Sequence, residues 1–521
     1  MKKILTIFLC GMLLFSVPAC KQETVTYPTV VTKPGATESV ELEKPEQEKE
    51  EPQDSTAGTG GQTVQIGSGK PEATPETETP ETETPETETA EVEQPEVEQP
   101  EAEAPAPEVV APERTFAKHP LVLKNGSLSK TTASSIALSD LVKGGGLKTL
   151  KKRTLTLYTA GDAPSFHYLN EKGVLVSEWD WMKELAKEND FTLKLVRKTN
   201  ASSLKAQRIA LNAGQELSLV SLRKEELASG MTLCRSASKY LNAAATPNGI
   251  SRAVLSQSND TLFAPIGNIE ALWYHLDLMP EKLDPNALYK NNQWNAEAYT
   301  KVHTNALAKK VMPLLMETAL PWATLSGRSP LTLLDGKLDS NIHAQVTQIV
   351  WGQLRELNGA LTPFKPAKNT TYTFADETVA MTYSSIPAAG KGSYSFAPLP
   401  ILGEEQESTV TYCGNFLALP KYREEQAADL AALTFAELWC NRYAEALAAD
   451  FKALDLDAAA YADYLALAAG NGSLIFYDAS IEAIADAYLS GLTDEKVDMA
   501  AEYEKIRTKL LGTVAKYNQN Y

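Results

Sequence analysis

The chain has 521 residues, 43% of them hydrophobic and 22% charged, with a formal net charge of −18. That length allows a large core and more than one lobe. The acidity is local: residues 21–115 carry 24 Asp+Glu against 6 Lys+Arg, while residues 116–521 carry 43 acidic against 41 basic groups. The part able to fold therefore has no strong field, which disfavours nucleic acid and strongly charged partners.

The chain opens with "MKKILTIFLCGMLLFSVPAC". Lys2 and Lys3 precede an apolar run from Ile4 to Val17. The run is too short for a comfortable membrane span and ends in small residues, so residues 1–19 read as a secretory signal. Residues 20–115 have almost no large apolar side chains and include a five-residue period marked by Pro75, Pro80, Pro85, Pro95, Pro100 and Pro105. Such a segment buries too little surface to offset its ordering entropy. Regular Pro and like charge extend it, with an upper reach of roughly 300 Å at about 3.1 Å per residue. It reads as a spacer or as a solubilising tail, and in either case carries no chemistry. Residues 116–149 read as a lead-in.

The folded part begins at residue 150. Thr154–Thr159 has strand composition, "VSEWDWMKELAKEN" is a helix with Ser177 as N-cap, and Phe191–Val196 alternates as a strand. This is a β-α-β unit, so parallel pairing is expected. "SSLKAQRIALNAGQ" reads as a helix and "LSLVSL" as a strand. Amphipathic helices follow in "AQVTQIVWGQLREL", "EEQAADLAALTFAELWCNRYAEAL" and "EKVDMAAEYEKIRTKLLGTVAKYN". Alternating elements of this kind place the chain in the α/β class.

Between them lies "IEALWYHLDLMPEKLDPNALYKNNQWNAEAYTKV", Ile269 to Val302, where Trp273, Tyr274, Tyr289 and Trp294 cluster. Ala271–Tyr274 reads as a strand, and Asn295 followed by Glu297 as a helix start. Trp179, Trp181, Trp351 and Trp439 fall within helices at apolar spacing and are read as core. Beyond Cys10 and Cys20, the cysteines are Cys234, Cys413 and Cys440, with no CxxC and no Cys/His spacing for a metal. A Cys413–Cys440 bridge would suit an extracytoplasmic setting. No GxSxG, P-loop, HExxH or dinucleotide fingerprint is present, so neither an enzyme nor a cofactor is read.

Two resemblances sharpen this. "VPAC" is similar to the lipobox of bacterial lipoproteins, which makes Cys20 the lipidated residue and places the protein on the extracytoplasmic face of the cell membrane, held by acyl chains. From Leu150 onward the chain resembles family 1 extracellular solute-binding proteins of ABC importers, the type that includes sugar binders. "LKTLKKRTLTLYTAGDAP", the Ala271–Val302 stretch, "LLDGKLDSNIHAQVTQIVWGQLRELNG", "FADETVAMTYSS", "FAPLP" and "TYCGNFLALPK" carry it by their order and spacing. It departs from the family pattern at Tyr274–Asp277 (YHLD) and at "NAGQELSLV".

The resemblance implies a two-lobed periplasmic-binding-protein-like fold of type II, with mixed sheets flanked by helices and hinge strands between the lobes. Lobe 1 is expected at about residues 150–270 and 415–450, lobe 2 at about 275–411 and 475–521. It implies a monomer that captures a small-molecule carbohydrate between the lobes and passes it to ABC permease subunits, without metal or cofactor. By position it suggests Asp162, Glu270, Trp273, Tyr274, Trp322, Tyr383, Ser384 and Asn415 as ligand contacts, with Thr159, Ser221, Tyr412 and Gly414 nearby. For each aromatic, core packing stands as the alternative. The departures and the long tether favour a second reading, a binding fold used as a surface sensor or adhesion lipoprotein. An exported hydrolase would need a named acid pair, and the sequence offers none.

Overall fold

The structure, a computed structural model, describes Ala133 and residues 136–519 except 161–162, 171, 173, 201, 319, 328, 330, 335–336, 342–344, 368–369, 388–389, 391, 405, 422–424 and 478–498. The signal, the tether, Cys20 and Asp162 lie outside the described residues.

A first sheet forms around β1 (Thr154–Ala160). β1 pairs in parallel with β4 (Thr192–Lys198), with α1 (Glu178–Glu188) as the crossover. Ser177 caps α1 by accepting the amide of Asp180 at 3.2 Å, which ends the short hairpin of β2 (His167–Leu169) and β3 (Leu175–Ser177). α2 (Ser203–Asn212) leads to β5 (Val220–Arg223). Leu157 bridges in parallel to Leu219, just ahead of β5. β5 then pairs with β14 (Asn415–Pro420), which also pairs with β6 (Cys234–Arg235). The short helices α3 (Leu227–Gly230) and α4 (Arg252–Gln257) follow.

A second sheet is built on β7 (Ile269–His275). After β7 come α5 (Pro285–Lys290), α6 (Ala296–Ala308) and β8 (Met312–Met316). A β9–β10 hairpin (Leu331–Leu334, Lys337–Ser340) and α7 (Gln345–Ala360) precede β11 (Val379–Ser384) and β12 (Tyr394–Ala397). β7 has β11 on one side and both β12 and β13 (Val410–Tyr412) on the other, all antiparallel. β11 adds β8 in parallel, and β13 adds β15 (Gly472–Ser473) in parallel. Being central, β7 is buried on both faces, which explains its near-continuous apolar run. α8 (Gln426–Ala453), α9 (Ala458–Asn471) and α10 (Met499–Asn518) complete the chain order.

Two cores accompany the sheets. One packs Trp181 of α1 against Leu155, Leu157 and α8 residues such as Phe435 and Trp439. The other surrounds β7, with Trp273, Phe396, Phe451 and Tyr464 in mutual ring contact. The chain crosses between the sheets in neighbouring places. Phe263 still bridges to β14, while Ile269 already lies in β7. The return runs through Cys413 and Gly414, and the Cys413 amide donates to the Asn268 carbonyl at 3.0 Å. Gly414 has φ +72, the left-handed region open to glycine. A third passage leaves β15, and the Tyr477 carbonyl accepts the Ala228 amide at 3.0 Å.

The fold differs from expectation at its start. Ala133 and residues 136–149, read as part of a lead-in, belong to the folded body. Leu141 and Val142 are buried, Val142 bridges to Leu241, and Trp181 donates to the Ala133 carbonyl at 3.0 Å. Among the described residues no helix is long and apolar enough to cross a membrane.

Candidate ligand-binding site

Parallel strands that end together leave a crevice at their carboxyl ends. Here β1 ends at Thr159 and Ala160, and Ser221 of β5 and Asn415 of β14 reach the same place. A recess forms there, closed on its far side by Ser165, Glu178 and Trp179. Asn415 Nδ2 donates to Ser165 Oγ at 2.7 Å, and the Ser165 amide donates to Glu178 Oε2 at 2.6 Å. Trp439 Nε1 donates to the other oxygen of Glu178 at 2.6 Å. Burial raises the Glu178 pKa, and these donors only partly offset it. Thr159 Oγ1 is buried without a hydrogen-bond partner. Trp179 is half-buried, with the Arg197 guanidinium 4.9 Å from its ring centre. The recess measures about 10 Å³, room for one water.

A second group of polar side chains adjoins it. Glu270, near the start of β7, pairs with Lys224, which follows β5. Thr411 Oγ1 of β13 donates to Glu270 Oε2 at 3.2 Å and lies 3.1 Å from the Tyr383 hydroxyl. The Lys224 amide donates to the Gly414 carbonyl at 3.1 Å, next to Asn415. The Tyr477 ring lies 5.6 Å from Lys224 Nζ. Burial opposes the Lys224 charge, but the Glu270 carboxylate overcomes it and the net pKa is raised. A polar strip thus runs from Thr159 through Asn415 and Lys224 to Glu270, along the crossings between the two sheets.

The structure gathers Thr159, Ser221, Glu270, Tyr383 and Asn415 along this strip. It separates others. Trp273 is 0% exposed and covered by Phe396, Phe451 and Tyr464, so no face is open to a ligand; the expectation of a contact there is corrected to core. Tyr274 is likewise corrected: its hydroxyl donates to Asp284 and accepts the Asn286 amide at 3.0 Å, fixing the start of α5. Trp322 is 5% exposed and stands edge-on to Tyr299 at 6.0 Å, which is again a core position. Tyr412 is buried and donates to the Ala468 carbonyl at 2.7 Å. Ser384 ends β11 and donates to the Ser385 carbonyl at 2.9 Å.

Trp181, Trp351 and Trp439 are buried, but Trp179 is not core; it edges the recess. The other residues that sequence reasoning missed are Glu178, Ser165 and Lys224. A signal for Trp179 existed: it lies two residues from Trp181, and helix neighbours two apart do not share a face. Cys234, Cys413 and Cys440 are buried free thiols, so Cys413 and Cys440 are not bridged. Among the described residues no group of three or more His, Cys, Asp or Glu is placed to hold a metal ion.

No protein-family model matches the chain, and no curated protein matches it. Solved structures that match include an ABC substrate-binding protein from Listeria monocytogenes in complex with cycloalternan (13% identity, 71% of this chain and 99% of that one, TM-score 0.45). They also include the cyclic alpha-maltosyl-1,6-maltose binding protein from Arthrobacter globiformis (11%, 69% and 98%, TM-score 0.49). A third is the sugar-binding protein MalE from Xanthomonas citri (13%, 70% and 98%, TM-score 0.48). Across 69–71% of its length, at low identity, the chain is similar to sugar-binding proteins of this kind.

Proposed function

We propose that the protein is a lipid-anchored, extracytoplasmic solute-binding protein. It captures an oligosaccharide between two lobes and delivers it to an ABC importer. The observation that carries this reading is the polar strip at the crossings, where groups from both sheets converge on one line. A sugar needs hydroxyl partners and a flat aromatic surface, and the strip supplies Thr159, Asn415 and Glu270 with Trp179 at its edge. The unpartnered Thr159 Oγ1 is a group that a ligand hydroxyl would satisfy. Of the ligand contacts that the sequence resemblance suggested, Glu270, Tyr383 and Asn415 lie along this strip.

A recess with room for one water admits no sugar ring, so entry requires the sheets to part. The two crossings at Asn268 and Cys413–Gly414, with the third near Tyr477, are the segments that would absorb such a hinge motion. Cys20 would anchor the chain, and residues 20–115 would hold the binding domain away from the membrane.

Growth of the bacterium that makes the protein tests this. Loss of the gene should abolish growth on one oligosaccharide and spare growth on its monosaccharides, and Glu270→Gln should reproduce the loss. Unchanged growth on every oligosaccharide, with lost attachment to a surface or partner, would favour the sensor or adhesion reading instead.

A further inference from the structure

A separate groove of about 620 Å³ lies between the end of α4 and the β9–β10 hairpin, floored by residues 470–474 and Phe476. It shares no residue with the recess at Thr159. Its volume falls within the range of small-molecule sites, about 300–1,000 Å³. Its walls are held in place. Gln257 Nε2 donates to the Gly472 carbonyl at 2.9 Å, and Gln257 Oε1 accepts the Leu474 amide at 2.7 Å. Asn341 Nδ2 donates to the Ser329 carbonyl at 3.0 Å and to Thr332 Oγ1 at 3.2 Å.

One group in the groove is left over. Ser329 is 5% exposed, lines the groove, and its Oγ has no hydrogen-bond partner. A buried hydroxyl of this kind costs free energy until something satisfies it. The chemistry of the remaining lining selects the ligand. It is rich in hydroxyls and amides, its charged groups are the carboxylates of Asp339 and Glu407, and no Lys or Arg is among the described lining residues. Among the described lining residues an anion would meet two negative charges and no counter-charge. A neutral or cationic molecule with several hydroxyls would find donors, acceptors and the apolar faces of Leu333, Leu474 and Phe476.

We propose that this groove is a second small-molecule site, which takes a neutral or cationic polyol of one or two rings, amino sugars included. The inference rests on the groove alone and stands whether or not the function above is correct.

The test is titration of the full chain with glucosamine below neutral pH, followed by ligand-observed NMR, with glucuronate as the anionic control. Saturable binding of glucosamine and none of glucuronate is expected. Gly470 lines the groove and has open space where a side chain would start, so Gly470→Leu should abolish the binding. Asp339→Asn should weaken glucosamine at least threefold and leave glucose unchanged. Should Gly470→Leu not fold, Asp339→Asn and Ser329→Ala decide. Glu270→Gln should leave the binding intact. The proposal is overturned by absence of saturable binding, by equal binding of glucuronate, by binding that a folded Gly470→Leu leaves intact or that neither Asp339→Asn nor Ser329→Ala weakens, or by binding lost in Glu270→Gln.

Discussion

Lys224 and Glu270 form an ion pair with side chains 15% and 12% exposed. Breaking a buried pair from one side leaves an uncompensated charge and costs about 3–5 kcal/mol. Residual solvent contact at both groups lowers this to about 2 kcal/mol. Lys224→Met should fall near that value, because Glu270 keeps the Thr411 hydroxyl as a donor. Glu270→Gln should cost about as much, because the Lys224 ammonium then sits beside the Tyr477 ring with only the weaker pull of the Glu225 carboxylate. The double substitution removes both charges, so its cost should be well below the sum, with a coupling of about 2 kcal/mol. For a folded part of roughly 390 residues, unfolding entropy near 2.1 cal/mol/K per residue makes 2 kcal/mol a fall of about 2–3 °C in melting temperature. Melting curves and urea titrations of the four proteins measure the cycle. Costs that add to within about 0.5 kcal/mol would refute the reasoning, since uncoupled sites add in that way.

Other outcomes follow from the same structure. The raised Glu178 pKa means that stability is fully present below the ordinary Glu pKa and is lost as pH rises through the folded value. Glu178→Gln should therefore flatten that decline in a melting-temperature series across acidic to neutral pH; an unchanged slope would show that Glu178 is not its source. Thr159→Val removes an unpartnered hydroxyl, so the melt should hold or rise by up to about 1 kcal/mol while saccharide affinity falls; a clear loss of stability would show a hidden partner. Trp273→Phe should destabilise by about 1–3 kcal/mol, as a core substitution does, and keep any ligand-induced fluorescence change. Trp179→Phe should keep stability and lose that change. The reverse pattern would return Trp273 to the ligand.

Elements with strong local signals were legible in the sequence. The Ser177 cap, the parallel β1–β4 pair and the Asn295 cap, whose Oδ1 accepts the Ala298 amide at 3.0 Å, all follow from residue order. The turn after β7 is held by two aromatics of the Ile269–Val302 stretch. Trp294 donates to the Pro398 carbonyl at 2.9 Å and Tyr289 to Asn471 at 2.9 Å. Glu270 was within reach because it starts a crossing strand. What failed was the choice between the two faces of a strand buried on both. Trp273 and Tyr274 point opposite ways from β7, as neighbours in a strand do, yet both faces are core. No alternation marks such a strand, so periodicity could not separate ligand from packing. Lys224, Ser165 and Glu178 were missed because their roles come from contacts between residues far apart in sequence, Lys224 with Glu270 and Glu178 with Trp439.

A saccharide that binds at the strip between the sheets should stabilise the folded chain. The most direct measurement is the melting temperature of the full chain against a broad panel of oligosaccharides, repeated with Glu270→Gln. One saccharide at a hundredfold excess over its Kd should stabilise by about 2.7 kcal/mol, a rise of about 3 °C at this size, and Glu270→Gln should lose the rise. No shift with any member of the panel, or a shift that Glu270→Gln leaves intact, would contradict the account.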